Sequence, residues 1–333
     1  MKFGFATIPH WPIKEVLGLI EQADALGFDN AWVCDQTFFI DPFPLLAVAG
    51  QRCKKIHLGV GVTNPYTRTA VQVARTIATV AELVGKPVAL GIGAGNRREL
   101  LLPLGIEQVS PATRIQEMIE IMRRLLAGET VTYKSETMTL EGVRLKFIPS
   151  FSAPMYIAAR GPATLRLGGR CCDGVIIGDL VSDAGLDYAQ GEIAAGLKAA
   201  GRSLEQAENV TWTTCFVTDG DDSQAIERLK PWVAHNLAAS PAVVQKALCM
   251  DDDRIQVMRA AYSQGGAEEA GKYVSPVDID KLSIVGSPEK CAQTIRRLRD
   301  RGIGQLVILL YSKDLSENHA LLKRLAEDVF PLV

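Results

Sequence analysis

The chain has 333 residues, 47% of them hydrophobic, and 36 Lys and Arg set against 38 Asp and Glu leave a formal net charge of −2. That length suits one (β/α)8 barrel with an insertion and buries about three-quarters of the unfolded surface, so no disulfide or metal staple is needed. The balanced charge, without a basic block, excludes nucleic acid or an anionic membrane as the main partner. No run reaches the roughly 20 uninterrupted apolar residues of a membrane span.

In chain order, Lys2 to Ile8 predicts a first strand rather than a signal peptide, because no long apolar core follows a positive charge. Lys14 to Leu26 predicts a helix: Val16, Leu19, Ile20, Ala23 and Leu26 recur at helical spacing, and Gly27 closes it. Asn30 to Cys34 and Ile56 to Gly61 read as strands two and three, Arg68 to Val84 as a long helix, and Pro87 to Gly93 as strand four. Ser110 as N-cap and Pro111 in the first turn open a helix whose apolar face is Ile115, Met118, Ile119, Met122, Leu125 and Leu126; Gly128 ends it. Thr130 to Phe147, with β-branched residues in alternation, predicts a surface hairpin before strand five.

Pro154 to Ala159 is strand five and Pro162 to Gly169 a helix; Asp173 to Gly178 is strand six and Leu186 to Ala200 a helix. Val210 to Val217 is strand seven. Ser223 to Gly271 lacks any strand-like run and reads as a helical insertion. Pro288 to Arg301 is a helix, Gln305 to Tyr311 strand eight, and Asn318 to Val329 the last helix. Eight near-continuous apolar strands alternating with helices imply a parallel sheet closed into a (β/α)8 TIM barrel, since a doubly wound sheet usually has five or six. The expected organisation is a single domain over residues 1–333 with the insertion at about 223–271.

Seven scattered cysteines, without a C-x-x-C pair or a Cys/His cluster, predict a reducing, cytoplasmic setting and no metal site. Cys171-Cys172 has two readings, a redox-active vicinal disulfide or two small buried apolar residues at a helix end; the second is the simpler.

In such a barrel the chemistry sits on loops leaving the C-terminal strand ends. His10 follows strand one and is the only histidine expected there, so it is a candidate proton donor or acceptor. Asp35 and Gln36 follow strand two. Gly91-Ile-Gly-Ala-Gly95-Asn96 lacks the third glycine of G-x-G-x-x-G, and no short helix is expected there, so a dinucleotide fold is rejected. Its glycines, Gly93 and Gly95 included, either let a flat ring approach the backbone or relieve crowding inside the barrel. Ala159-Arg160-Gly161-Pro162 joins a strand to a helix N-terminus, where open amides, the dipole and Arg160 suit an anion; a solvated surface arginine is the alternative.

Several segments then resemble one family: Gly59 to Arg68, Leu90 to Gly95, Leu125 to Glu129, Tyr156 to Pro162 with Asp173-Gly174, and Ile284 to Glu289. Their order and spacing are similar to the bacterial luciferase-like oxidoreductases, nearest to the branch of methylenetetrahydromethanopterin reductases. The resemblance implies a barrel with an insertion, a cofactor that is FMN or the 5-deazaflavin coenzyme F-420, and a small organic substrate. With reduced FMN and O2 the reaction is monooxygenation, and a separate flavin reductase is the implied partner; with the deazaflavin it is hydride transfer. The resemblance further implies a cis peptide at Gly61-Val62 and a bulge under one face of the ring. Thr63 and Asn64 then meet its heteroatoms, Ala159, Arg160 and Gly161 meet a phosphate-linked tail, and the molecule is a homodimer. Gln36 stands where members often carry His, and Ala6 where the reductase branch tends to be acidic, which leaves Asp35 and His10 as the titratable candidates. Two rival readings are a non-catalytic flavin-binding relative, motivated by Gln36, and a lyase or isomerase of phosphorylated substrates using Lys313.

Overall fold

The computed structural model describes residues 1–333. Eight parallel strands close a barrel: β1 (Lys2–Thr7), β2 (Asn30–Val33), β3 (His57–Thr63), β4 (Ala89–Ile92), then, after the antiparallel hairpin of β5 (Val131–Lys134) and β6 (Thr139–Val143), β7 (Met155–Ala159), β8 (Gly174–Gly178) and β9 (Glu208–Val217). A further strand, β10 (Ser283–Gly286), follows the insertion, and β11 (Gln305–Leu309) completes the ring by pairing with both β1 and β9. The expected (β/α)8 barrel is the observed fold, with the hairpin in its expected place.

The strands alternate between two cores. Outward residues such as Phe5, Val33, Val60, Leu90, Ile157, Val175 and Ile308 join a 78-residue cluster with the surrounding helices. Inward, Ala6, Trp32, Ile176, Val210, Val307 and Leu309 form a separate cluster filling the lumen. That lumen is plugged by indole rings, and glycine makes the room: a Cβ on Gly59 would meet the Trp32 ring, and one on Gly61 the Trp212 ring.

The outer layer comprises α1 (Ile13–Leu26), α2 (Pro42–Arg52), α3 (Ala70–Val84), α4 (Pro111–Leu126), α5 (Pro162–Cys171) and α6 (Asp183–Ala199). The insertion follows as α7 (Ser223–Ala239), α8 (Ala242–Ala247), α9 (Asp252–Gly271) and α10 (Pro276–Leu282), and α11 (Pro288–Asp300) and α12 (Leu315–Arg324) close the chain. Gly27 ends α1 in the left-handed region, as its position predicts. Ser110 is also left-handed, at φ 49°, and its side chain makes no cap, so Pro111 alone sets the start of α4.

Two elements depart from the sequence reading. α2 is an additional helix, with Pro42 and Pro44 confined to its first turn, where a missing N–H costs nothing. β10 pairs with Thr214–Val217, the upper half of β9, while β8 pairs with the lower half. The insertion therefore runs beyond Gly271, through α10, before the chain returns to the sheet. No helix is long and apolar enough to cross a membrane.

Candidate active site

At the C-terminal ends of β2, β3 and β4 lies a cleft of about 550 Å³, within the range of roughly 300–1,000 Å³ usual for small-ligand sites. Its walls are the loop Cys34–Phe39, the segment Gly61–Asn64, the segment Gly93–Asn96 with Glu99 and Leu100, and Ala158. The middle wall is a bulge. β3 uses three steps from Val60 to Thr63 where β4 uses two from Leu90 to Ile92, and the Gly61-Val62 peptide is cis. The spare residue turns Val62 sideways onto β4, where its methyls fill the space a Cβ on Gly91 or Gly93 would need. Crowding thus explains the glycines of β4. Gly93 still lines the cleft with Gly61, Ala94, Gly95 and Ala158, and together they give walls poor in side chains.

The expected site residues are used in different ways. Asp35 is 6% exposed and held by Arg68, whose Nε and Nη2 donate to its two oxygens at 2.8 and 3.0 Å. Arg68 also reaches Asp41 at 3.0 Å, clamping the β2 loop onto the start of α2. Burial opposes the Arg68 charge, but the two carboxylates outweigh it and raise its pKa. Gln36 is exposed in the cleft, its carbonyl accepting from the Phe39 amide at 2.8 Å. Asn64 is spent on its own turn: Oδ1 accepts from the Tyr66 and Thr67 amides, each at 3.0 Å, and Nδ2 donates to Thr67 Oγ1. One N–H of its Nδ2 is left without a partner in the cleft lining. The neighbouring Thr63 hydroxyl is buried without a partner, the one orphaned polar atom in this wall. A side-chain-poor slot with an unsatisfied hydroxyl fits a flat heterocycle with a polar edge.

Four expected positions and His10 lie outside the lining. His10 is exposed, tilted against Trp11 at 3.6 Å between ring centroids, and does not border the cleft. Burial, foremost, and the Lys313 charge lower its pKa. Lys313 is itself exposed and outside the cleft, so a Schiff-base reading gains no support. Ala159 packs into the outer core, and Gly161 and Pro162 begin α5, whose first turn has no side-chain cap. Arg160 turns toward the insertion instead of toward an anion: Nη1 donates to the Asn236 carbonyl (3.3 Å), Asn236 Oδ1 (3.0 Å) and Ser240 Oγ (3.2 Å) on and just after α7.

Other groups at the mouth were not singled out by sequence reasoning. Asn96 opens a single turn over Arg97–Leu101, where no helix was expected, its Oδ1 accepting from the Arg98 and Glu99 amides at 3.1 Å each. This turn carries Glu99 back to the cleft. Asp179 sits left-handed, at φ 52°, just past β8; burial pushes its carboxyl up to about 6 against the opposing pull of Arg160 and of the Trp232 indole N–H. Trp232 and His235 from α7, Tyr262 from α9 and Tyr311 form an aromatic cluster above these groups. An Asn three residues before a Glu was a readable signal for the turn; the aromatic cluster depends on how the insertion folds back.

The adjacent cysteines lie at the end of α5, Cys172 fully buried and Cys171 partly so.

The profile of the luciferase-like monooxygenase family matches residues 1–305, nearly the whole barrel. The chain belongs to that family. A 5,10-methylenetetrahydromethanopterin reductase of Methanolobus tindarius is 32% identical over 309 residues, covering 92% of this chain and 93% of the relative. The structure of a coenzyme F-420 dependent tetrahydromethanopterin reductase from Methanopyrus kandleri superposes with a TM-score of 0.86 at 27% identity, covering 99% and 98% of the two chains. A monooxygenase from Streptomyces bottropensis superposes with a TM-score of 0.71 at 20% identity over 99% of each chain, a likeness of fold. Within this luciferase-like family the homologues are oxidoreductases.

Proposed function

We propose that this luciferase-like protein is an oxidoreductase that holds coenzyme F-420 in the cleft between the β3 bulge and the β4 loop and moves a hydride between it and a small organic substrate. The observation that carries this reading is the cleft itself, with walls of Gly61, Gly93, Ala94, Gly95 and Ala158 beside the unpartnered Thr63 hydroxyl. The reductases similar to this chain favour the deazaflavin over FMN, since the monooxygenase likeness is one of fold. When bound, the cofactor supplies the hydride chemistry; the protein supplies position, dryness and a proton path.

The Asp35–Arg68–Asp41 clamp fixes the β2 loop, so the exposed Gln36 amide can present one donor and one acceptor to substrate. Phe38 and Phe39, 57% and 43% exposed, stand over the cleft and would exclude water once covered by ligand. The uncapped first turn of α5 offers the Gly161, Ala163 and Thr164 amides to the anionic tail, Pro162 having no N–H. Seven free thiols fit a reducing, cytoplasmic compartment, and the working unit is a homodimer.

Fluorescence titration of the purified protein with oxidised and reduced coenzyme F-420, FMN and reduced FMN tests the reading. Binding of the deazaflavin with turnover of a carbonyl or methylene-pterin acceptor is expected; binding of FMN alone, with O2 consumption, would replace it by monooxygenation. Binding without turnover on any acceptor would support the non-catalytic relative.

A further inference from the structure

Of the side chains lining the cleft, three titrate: Cys34, Asp35 and Glu99. Burial, reinforced by the Asp35 charge, pushes the Cys34 thiol up to about 12, so it stays protonated and inert. Asp35 is spent in its two-pronged pair with Arg68, and protonating it would strand the guanidinium. Glu99 is different. Its side chain is 62% exposed and has no arginine or lysine partner; the one cation within ion-pair range is His235, whose Nδ1 lies 3.9 Å from Oε1. The Asn96 amide steadies the other oxygen, Nδ2 donating to Oε2 at 2.9 Å.

Behind Glu99 the insertion supplies two groups with exchangeable protons, which meet at one ring nitrogen. His235 Nδ1 lies 2.7 Å from the Tyr262 hydroxyl, and the Trp232 ring stacks on the imidazole. Arg98 sits over the Tyr262 ring at 5.4 Å, fixing α9 against the same turn that carries Glu99. The gap of 3.9 Å exceeds a hydrogen bond, and a rotation of the exposed Glu99 side chain or one bridging water closes it.

We infer that Glu99 is the proton donor and acceptor of this cleft, and that the His235 ring it faces, whose Nδ1 also meets the Tyr262 hydroxyl, exchanges protons with it. This rests on the hydride-transfer reading above. In the reductive direction the bound deazaflavin would supply a hydride to the carbon of a substrate C=O or C=N group and, once oxidised, would release its remaining ring N–H proton to solvent. The π pair moves onto the heteroatom, which takes the proton of the Glu99 carboxyl, and the carboxylate recovers a proton from solvent through His235. The oxidative direction reverses each transfer. The substrate class that follows is a polarised C=O or C=N compound, or the alcohol or amine it yields.

The His235 ring is faced by Glu99 and Arg98 from the β4 loop, by Arg160 from the end of β7, and by Tyr262 from α9. Burial lowers its pKa most, Glu99 opposes that, and the two arginines add to it. Glu99→Gln removes the only anion in this set.

The test has two arms on the full-length protein. Imidazole NMR follows the titration of His235, one of four histidines, with His235→Asn identifying its signal. The midpoint is expected to fall in Glu99→Gln; an unchanged midpoint overturns the inference, whatever the cofactor. In the second arm, reduced coenzyme F-420 and methylenetetrahydromethanopterin serve as probes. Glu99→Gln is expected to lower kcat by roughly 100- to 10,000-fold and to flatten its pH profile, with F-420 affinity within about two-fold of wild type. Retained kcat with an unaltered profile overturns it. If the wild-type protein fails to bind F-420, the cofactor reading falls while the NMR arm still judges the Glu99–His235 pair.

Discussion

Two buried carboxylates at the ends of β2 and β8 are held differently by what faces them. Asp35 meets a guanidinium in a two-point fork; Asp179 meets an arginine already committed to Asn236 and Ser240, and is pushed up to about 6 chiefly by burial. Since that value lies above the ordinary carboxylate one, the proton-linked stabilisation from Asp179 is complete below about pH 4 and disappears as pH rises through about 6. The Trp232 indole N–H donates to Asp179 Oδ1 at 3.4 Å, so tryptophan fluorescence should titrate with a midpoint near pH 6 and lose that step in Asp179→Asn or Trp232→Phe. Arg68→Ala should cost about 3 kcal/mol by chemical denaturation, because it leaves Asp35 buried and unpaired; Asp35→Asn in the same chain should recover much of it. The sequence located Asp35, Thr63 and Asn64 at the strand ends correctly. What it withheld was how their hydrogen bonds are spent, because the Arg68 fork joins positions 33 residues apart and the Asn64 turn takes both acceptor sites of an amide that looked available.

Among the elements, helices α5 and α6 approach backbone to backbone. A Cβ on Gly196 would strike the Arg166 carbonyl, and one on Gly169 the Ile193 carbonyl, with no flexible side chain to yield. Gly196→Ala should therefore destabilise the protein by about 3 kcal/mol in equilibrium denaturation, whereas Gly191→Ala on α6, with nothing in reach, should be neutral or slightly stabilising. The barrel strands were readable because buried parallel strands leave short apolar runs between turn residues. β10 was not, since its four residues fall directly between two helices, and α2 was masked by two prolines in its opening turn. The strand-end arginine was legible by type but not by direction. Arg160→Ala should speed hydrogen exchange in the C-terminal half of α7 by removing three hydrogen bonds to Asn236 and Ser240, and normal protection there would show that the insertion holds itself in place.

For the molecule as a whole, the barrel supplies the cleft, and the chain between β9 and β10 supplies Trp232, His235 and Tyr262 above it. The proposed homodimer makes a direct prediction at this scale: light scattering should give twice the 36.1 kDa chain mass, and a single-chain mass would refute it. The base of the insertion is pinned by strand pairing between β10 and the upper half of β9, and the chain departs and returns where the Thr218 amide meets the Gly286 carbonyl at 2.8 Å. Because both ends emerge side by side from one rim, lengthening or swapping the intervening residues adds little closure entropy and leaves the ring of strands intact. The cleft and the groups that face Glu99 are in this way carried by separable stretches of polypeptide: grafting another member's helices between Thr218 and Gly286 should leave the folded barrel and its cleft in place while exchanging the His235 and Tyr262 side chains.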